Sequence, residues 1–217
     1  MLPLNKLLLK GLTHWPAGMP RKWPTLTLAL CLTSLVSVHA QVNTYPYSEG
    51  FEGTGFGGFG SWTQSTTDDF DWSNNTGGTT SGNTGPSAAK EGSYYAYTET
   101  SNLVNNGDIA IIENTFDFTS LTDPELVFDY HMYFNGAANG GTLDVDVSTN
   151  NGVTWNNVFT RAGGQGNQWF DDERVSLTQY ASNSVVKIRF KFTVGTNTAF
   201  ENDCAIDDIK VQEKPSC

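Results

Sequence analysis

The stretch ELVFDYHMYF, Glu125 to Phe134, decides the fold. Leu126, Phe128, Tyr130, Met132 and Phe134 fall on one side of it, and Val127, Asp129, His131 and Tyr133 on the other. Side chains alternate across a strand residue by residue. Period two over this run therefore predicts a half-buried β-strand, since a helix would return its apolar stripe every three to four residues. The same alternation recurs on both sides. TLDVDVSTN (Thr142 to Asn150) sets Leu143, Val145 and Val147 against Asp144 and Asp146. VVKIRFKFTVG (Val185 to Gly195) sets Val186, Ile188, Phe190, Phe192 and Val194 against Lys187, Arg189 and Lys191. GSYYAYTET (Gly92 to Thr100) and DIAIIENTFDF (Asp108 to Phe118) come earlier, and AIDDIKV (Ala205 to Val211) closes the series.

No segment carries a helical period; only over Asp171 to Tyr180 does one helical turn compete with a short strand. Many short strands, Gly/Asn/Asp turns and no alternation of strand with helix predict an all-β fold. One-face alternation favours a two-sheet antiparallel β-sandwich, and at this length a jelly roll. Residues 53–88 are rich in Gly, Ser, Thr and Asn and read as loops with short strands, pinned by Trp62, Phe70 and Trp72. In STNNGVTW (Ser148 to Trp155), Asn150-Asn151-Gly152 offers the positive φ of a tight hairpin. The string resembles the Asp-box hairpin of sialidases, with Asn150 in place of the Asp. A propeller would need several copies and there is one, so the segment reads as a hairpin with Trp155 folded back.

The first forty residues contain no Asp or Glu. Arg21 and Lys22 precede an apolar run from Leu26 to Val38, and Val38-His39-Ala40 places small residues where a signal peptidase reads. Residues 1–40 are therefore expected to be a secretory signal cleaved after Ala40, with Met19 an alternative start. The run is short for a membrane span. LALC (Leu28 to Cys31) fails as a lipoprotein box because Leu30 stands where a small residue is needed. Removing Lys6, Lys10, Arg21 and Lys22 leaves eight of the twelve basic residues against all 23 acidic ones, a formal net charge of −15. Such a surface repels nucleic acid and anionic lipid and suits a secreted or surface-displayed protein, with or without bound cations. Of the three cysteines, Cys204 and Cys217 survive cleavage. They are too few for a disulfide framework, so burial must hold the fold, with a Cys204–Cys217 bridge the one pairing available. The predicted domain runs over residues 41–213. EKPSC, Glu213 to Cys217, reads as a linker, with 214–217 leading to a further module.

The mature chain keeps one histidine, His131. That excludes multi-histidine zinc sites and the HExxH helix. His131 lies mid-strand among aromatics, no GxSxG elbow partners it, and it reads as structural. No phosphate loop or dinucleotide fingerprint is present. A glycosidase needs only two carboxylates, and nothing singles out a pair. Carboxylates do group where a hard cation could use them. Glu52 is placed at the start of the first core strand, Asp68, Asp69 and Asp71 in a loop, Asp207 and Asp208 in the last strand. If first and last strands adjoin, these carboxylates could converge on a structural Ca²⁺. With Ile209 and Val211 inward, regular alternation turns Asp207 inward and Asp208 outward, unless a bulge intervenes.

Read in order, Phe51-Glu52, DFDW (Asp69 to Trp72), GSYY, LVFDYHMY, GGQGNQW (Gly163 to Trp169) and AIDDIKV resemble the MAM domain. This is the extracellular β-sandwich module of meprins, neuropilins and receptor tyrosine phosphatases. The likeness covers roughly Tyr47 to Val211. Animal members carry cysteines that this chain lacks; Glu125 stands at one of those positions, before Leu126. The missing cysteines and the Asn/Gly/Thr-rich composition resemble secreted multimodular proteins of Bacteroidetes. The resemblance implies a non-catalytic adhesion or recognition module, not an enzyme, with cation binding at Glu52, the Asp69/Asp71 loop and Asp207. Its partner would be an extracellular protein or a glycan. A second reading is a jelly-roll carbohydrate-binding module using an aromatic platform drawn from Trp62, Trp72, Trp155 and Trp169. A third is a carboxylate-pair glycoside hydrolase.

Overall fold

The computed structural model describes residues 41–53, 58–101, 104–134, 140–196 and 201–216; the expected signal over 1–40 and Cys217 of the one available disulfide lie outside the described residues. The alternating runs form strands. β1 (Tyr47–Glu49), β2 (Thr63–Gln64), β3 (Ser73–Asn75) and β4 (Tyr95–Tyr97) are short. β5 (Ile109–Phe116), β6 (Pro124–Met132), β7 (Thr142–Ser148), β8 (Asn156–Ala162), β9 (Trp169–Ser176), β10 (Val186–Thr193) and β11 (Cys204–Glu213) are long. The ambiguous stretch after Asp171 divides: it is strand through Ser176, then one 3-10 turn at Thr178–Tyr180.

Sheet I runs β3-β4-β11-β6-β9, with β1 also on β11, and sheet II runs β2-β5-β10-β7-β8. Every strand pair is antiparallel. From β4 onward the chain passes repeatedly between the two sheets, as in a jelly roll. The opening and closing strands do adjoin, Tyr47 lying opposite Val211. Glu52, however, falls beyond the end of β1 rather than in it.

The two apolar faces meet in one core. Phe128 of β6 packs edge-on to Phe190 of β10 with ring centroids 5.0 Å apart, and to Phe159 of β8 at 5.3 Å. Trp62 closes the other side of Phe190 at 5.3 Å. Such pairs add roughly 0.5–1.5 kcal/mol each beyond the burial of their area.

β6 departs from the expected half-burial. Its second face, Glu125, Val127, Asp129 and His131, is only 3%, 2%, 5% and 2% exposed. The cause is tertiary. The long segment between β3 and β4 crosses the outer side of sheet I, and Trp169 and Arg174 of β9 complete the cover. β11 departs as well. A bulge between Asp207 and Lys210, with Asp208 at φ 44°, inserts one residue. Ile206, Ile209 and Val211 therefore all reach the core, while Asp207 lies on the outer face of the sheet.

Candidate functional site

The carboxylates of sheet I meet backbone rather than one another. Asp207 is fully buried. Its Oδ2 accepts the N–H groups of Lys90 (2.8 Å) and Glu91 (2.9 Å), and its Oδ1 that of Asp208 (2.8 Å). Burial lifts its carboxyl to about 6, against the pull of those N–H donors. Glu52 Oε1 accepts the N–H groups of Ser93 (2.8 Å) and Tyr94 (2.9 Å). Glu52 and Asp207 thus grip the two ends of one turn, residues 90–94. Gly92 at its apex has φ 59°, and a Cβ there would stand 2.3 Å from Glu52 Oε1. Only glycine fits both the conformation and the space.

The other two predicted ligands are elsewhere. Asp69 Oδ2 accepts the N–H of Ile109 and Asp68 Oδ2 that of Ile111, both on β5 of sheet II. Asp71 is exposed. The structure therefore brings Glu52 and Asp207 together on one turn and leaves Asp69 and Asp71 with the opposite sheet. Among the described residues no three His, Cys, Asp or Glu side chains converge as a metal cluster.

Sequence reasoning missed a group centred on Asp129. It lies cross-strand from Asp207 and accepts the N–H of Asp172 at 2.7 Å. Asp172, at φ 52°, sits at a second bulge, between β6 and β9. Burial raises Asp129, as does the charge of Asp208. Lys90 pairs with Asp171 at 2.7 Å and Lys210 with Asp208 at 2.6 Å, offsetting part of this charge. Two bulges flanking one acidic residue leave no periodic signal in the sequence. At the end of the strand, His131 Nε2 is 3.3 Å from Asn167 Oδ1, and Trp169 packs edge-on to the ring. Burial pushes His131 down to about 4, so it is neutral at pH 7. Glu125 accepts bonds from Arg174 and Gln212, both at 2.8 Å, tying β6 to its two neighbours. Cys204 is free and wholly buried.

The outer face of sheet II is partly accessible, with Asp146 buried in it. Lys187–Glu113 (2.5 Å), Arg189–Asp146 (2.9 Å) and Lys191–Asp144 (3.0 Å) form a ladder of ion pairs across it. Arg189 also lies 4.1 Å over the ring of Trp155, which the 148–155 hairpin folds back onto the sheet. That hairpin closes as expected, with Asn151 at φ 57° and Asn150 Oδ1 accepting the N–H of Thr154. Of the four tryptophans considered as a platform, Trp62 and Trp72 are each 2% exposed and belong to the core. Trp155 on sheet II and Trp169 on sheet I remain partly accessible, on different sheets.

A family model described as MAM domain, meprin/A5/mu, matches residues 50–217. Among solved structures, the chain is similar to the K1 cleaved adhesin domain of Lys-gingipain from Porphyromonas gingivalis W83. The TM-score is 0.53 at 15% identity, covering 79% of this chain and 100% of that one. It is also similar to the K2 cleaved adhesin domain of Lys-gingipain, with TM-score 0.51 and 17% identity over 78% of this chain and 99% of that one. At such identities the likeness is one of fold.

Proposed function

This chain belongs to the MAM family, and from that premise we propose that it is a secreted, non-catalytic recognition module of a larger extracellular protein. The observation that best supports the reading is the burial of the groups that could do chemistry. His131 lies beneath Trp169, Cys204 is inaccessible, and Asp207 is committed to backbone donors. Asp144 and Asp146, neighbouring carboxylates on the outer face of sheet II, are held by Lys191 and Arg189. Adhesion, the role in the name of the gingipain domains, is the role assigned here. The surface free to serve it is the outer face of sheet II, because the chain covers the outer face of sheet I itself. Its charges are neutralised in pairs, so recognition there rests on hydrogen bonds and shape. A glycan is the partner that Trp155 favours, since a partly exposed ring beside Asn157 and Thr160 offers a sugar both stacking and polar contacts.

The test is a screen of the secreted protein against immobilised glycans and extracellular matrix proteins. Thr160→Arg should abolish a hit, whereas Thr160→Val, which loses the same bonds to Asp144 and Asn157 without the bulk, should keep it at a similar melting temperature. Binding that survives Thr160→Arg moves the site off sheet II, and turnover of a bound glycan ends the non-catalytic reading.

A calcium ion belongs to the same proposal, with Glu52 and Asp207 as its protein carboxylates and Asp69 and Asp71 left out. A carboxylate accepting N–H bonds retains lone pairs for a cation. Calcium should raise the melting temperature of the wild type and of Asp69→Asn, and should not raise that of Asp207→Asn. Equal melting in calcium and in chelator removes the ion from the proposal.

A further inference from the structure

A second buried carboxylate, Asp203, sits at the other end of β11's outer side. It is 0% exposed, and its two oxygens have unequal surroundings. Oδ1 accepts the N–H and the hydroxyl of Thr100, both at 3.2 Å. Oδ2 is buried with no partner. Thr79 faces the same carboxyl, but its hydroxyl hydrogen is given to Thr84 O at 2.8 Å. That hydroxyl does not reach Oδ2 at hydrogen-bonding geometry, so an ionised Oδ2 would be buried without a donor.

The titratable groups around Asp203 make matters worse for an anion. Glu99, just past β4, is a second carboxylate held ionised by the hydroxyls and N–H of Thr80 and Ser101. Tyr95 and Tyr97 of β4 and Cys204 of β11 are neutral. The ion pairs among the described residues do not include Asp203. A buried charge without a counter-ion is costly, and a proton on Oδ2 resolves both problems at once. It turns the orphan acceptor into a donor and removes the repulsion from Glu99.

The location gives that proton a mechanical role. Residues 79–85 are the base of the segment that crosses sheet I. Thr84 Oγ1 accepts the N–H of Asp203 at 3.2 Å, and Gly85 N–H donates to Tyr133 O at 3.3 Å. From this base the chain runs on to Ala88, whose carbonyl accepts the indole N–H of Trp169, and to the turn on Asp207. Ala89 packs against Tyr95, Tyr97 and Ala205.

We propose that Asp203 carries a proton in the closed module, so that the base of this cover can stay latched over it against β11, and that loss of the proton, by leaving a buried charge that only water can solvate, releases the cover from the outer face of sheet I. The residues that seal the carboxyl are Thr79, which faces it, and Thr84, whose Oγ1 accepts the Asp203 N–H. The proton leaves to water as the pH rises. Burial places the midpoint at about 7, where an extracellular change of pH would act on it.

The experiment follows the Asp203 side-chain carboxyl by ¹³C NMR and the amides of 79–94 by hydrogen exchange, from pH 5 to 9. The expected carboxyl midpoint is near 7. The opening equilibrium of 79–94, corrected for base-catalysed exchange, should rise up to about tenfold per pH unit above it. Asp203→Asn places an N–H₂ donor where the proton sits. It should fold, keep the segment protected, and show no such rise at alkaline pH. A carboxyl ionised throughout pH 5–9, or a rise that persists unchanged in Asp203→Asn, overturns the latch. A sodium- or calcium-dependent melt that Asp203→Asn abolishes would overturn it in favour of a cation on Oδ2.

Discussion

The two sheets have the same alternating pattern, yet their outer faces have opposite fates. On sheet II the charged residues of β5, β7 and β10 neutralise one another as Glu113–Lys187, Asp146–Arg189 and Asp144–Lys191, and all but the buried Asp146 keep part of their side chains in water. On sheet I the chain folds its own 76–94 segment over Asp129, His131 and Asp207, and these become buried polar groups whose partners are mostly backbone. Charged groups left near solvent contribute little to stability and tolerate exchange. The same residue types under a cover have shifted protonation and hold structure. The alternation marks which residues face away from the core. It does not say whether a third layer will lie over them.

The difference is broken most severely at Asp207. Asp207→Ala leaves the Lys90, Glu91 and Asp208 N–H groups without their acceptor, and should cost about 3 kcal/mol. Its sheet II counterpart, Glu113→Ala, which removes the partly exposed partner of Lys187, should cost about 1 kcal/mol. Chemical denaturation compares the two, and amide exchange at Lys90 and Glu91 should rise only in the first. Equal costs would mean that the cover contributes nothing.

His131 supplies the next effect, through pH. Its folded value, about 4, lies below the ordinary 6.5, so the unfolded chain binds more protons in between. Stability from this group is therefore intact above pH 6.5 and is lost as pH falls toward 4, on the order of 3 kcal/mol in all. Asp203 and Asp207 act with the opposite sign. Their folded values, about 7 and about 6, lie above 3.8, so their contribution is full below pH 3.8 and is lost as pH rises through those values. The two trends oppose each other in the whole protein. The His131 part is isolated by subtracting the pH–stability curve of His131→Gln, and a flat difference curve would place the imidazole in contact with water.

The smallest effect is expected on the open face. Asp144→Ala, which removes the partner of Lys191 and of Thr160, should cost less than about 1 kcal/mol. What it does cost should shrink in 1 M salt, where screening acts within about 3 Å. A loss of several kcal/mol, insensitive to salt, would show that this face is covered too.

Much of the sandwich was legible before any coordinates. The strands of β5, β6, β7, β10 and β11 follow their alternation, the hairpin at 150–152 follows its Asn-Gly turn, and the first and last strands adjoin. The site was legible only in part. Glu52 and Asp207 share a turn as two members of one predicted set, whereas Asp69 and Asp71 lie with sheet II because the loop carrying them bonds to β5. Trp62 and Trp72 look no different in sequence from Trp155 and Trp169, yet the first two fill the core.

By itself, the sequence determined the periodicity, the turn chemistry and the acidic balance, since each is a property of neighbouring residues or of composition. Tertiary structure alone decided which alternating face would be covered, where the bulges at Asp172 and Asp208 would shift the register, and that Asp203 and Asp207 would be sealed from water. Those outcomes depend on contacts between residues 40 to more than 100 positions apart, such as Asp129 with Asp172 and Asp207 with Lys90, and no local pattern encodes them.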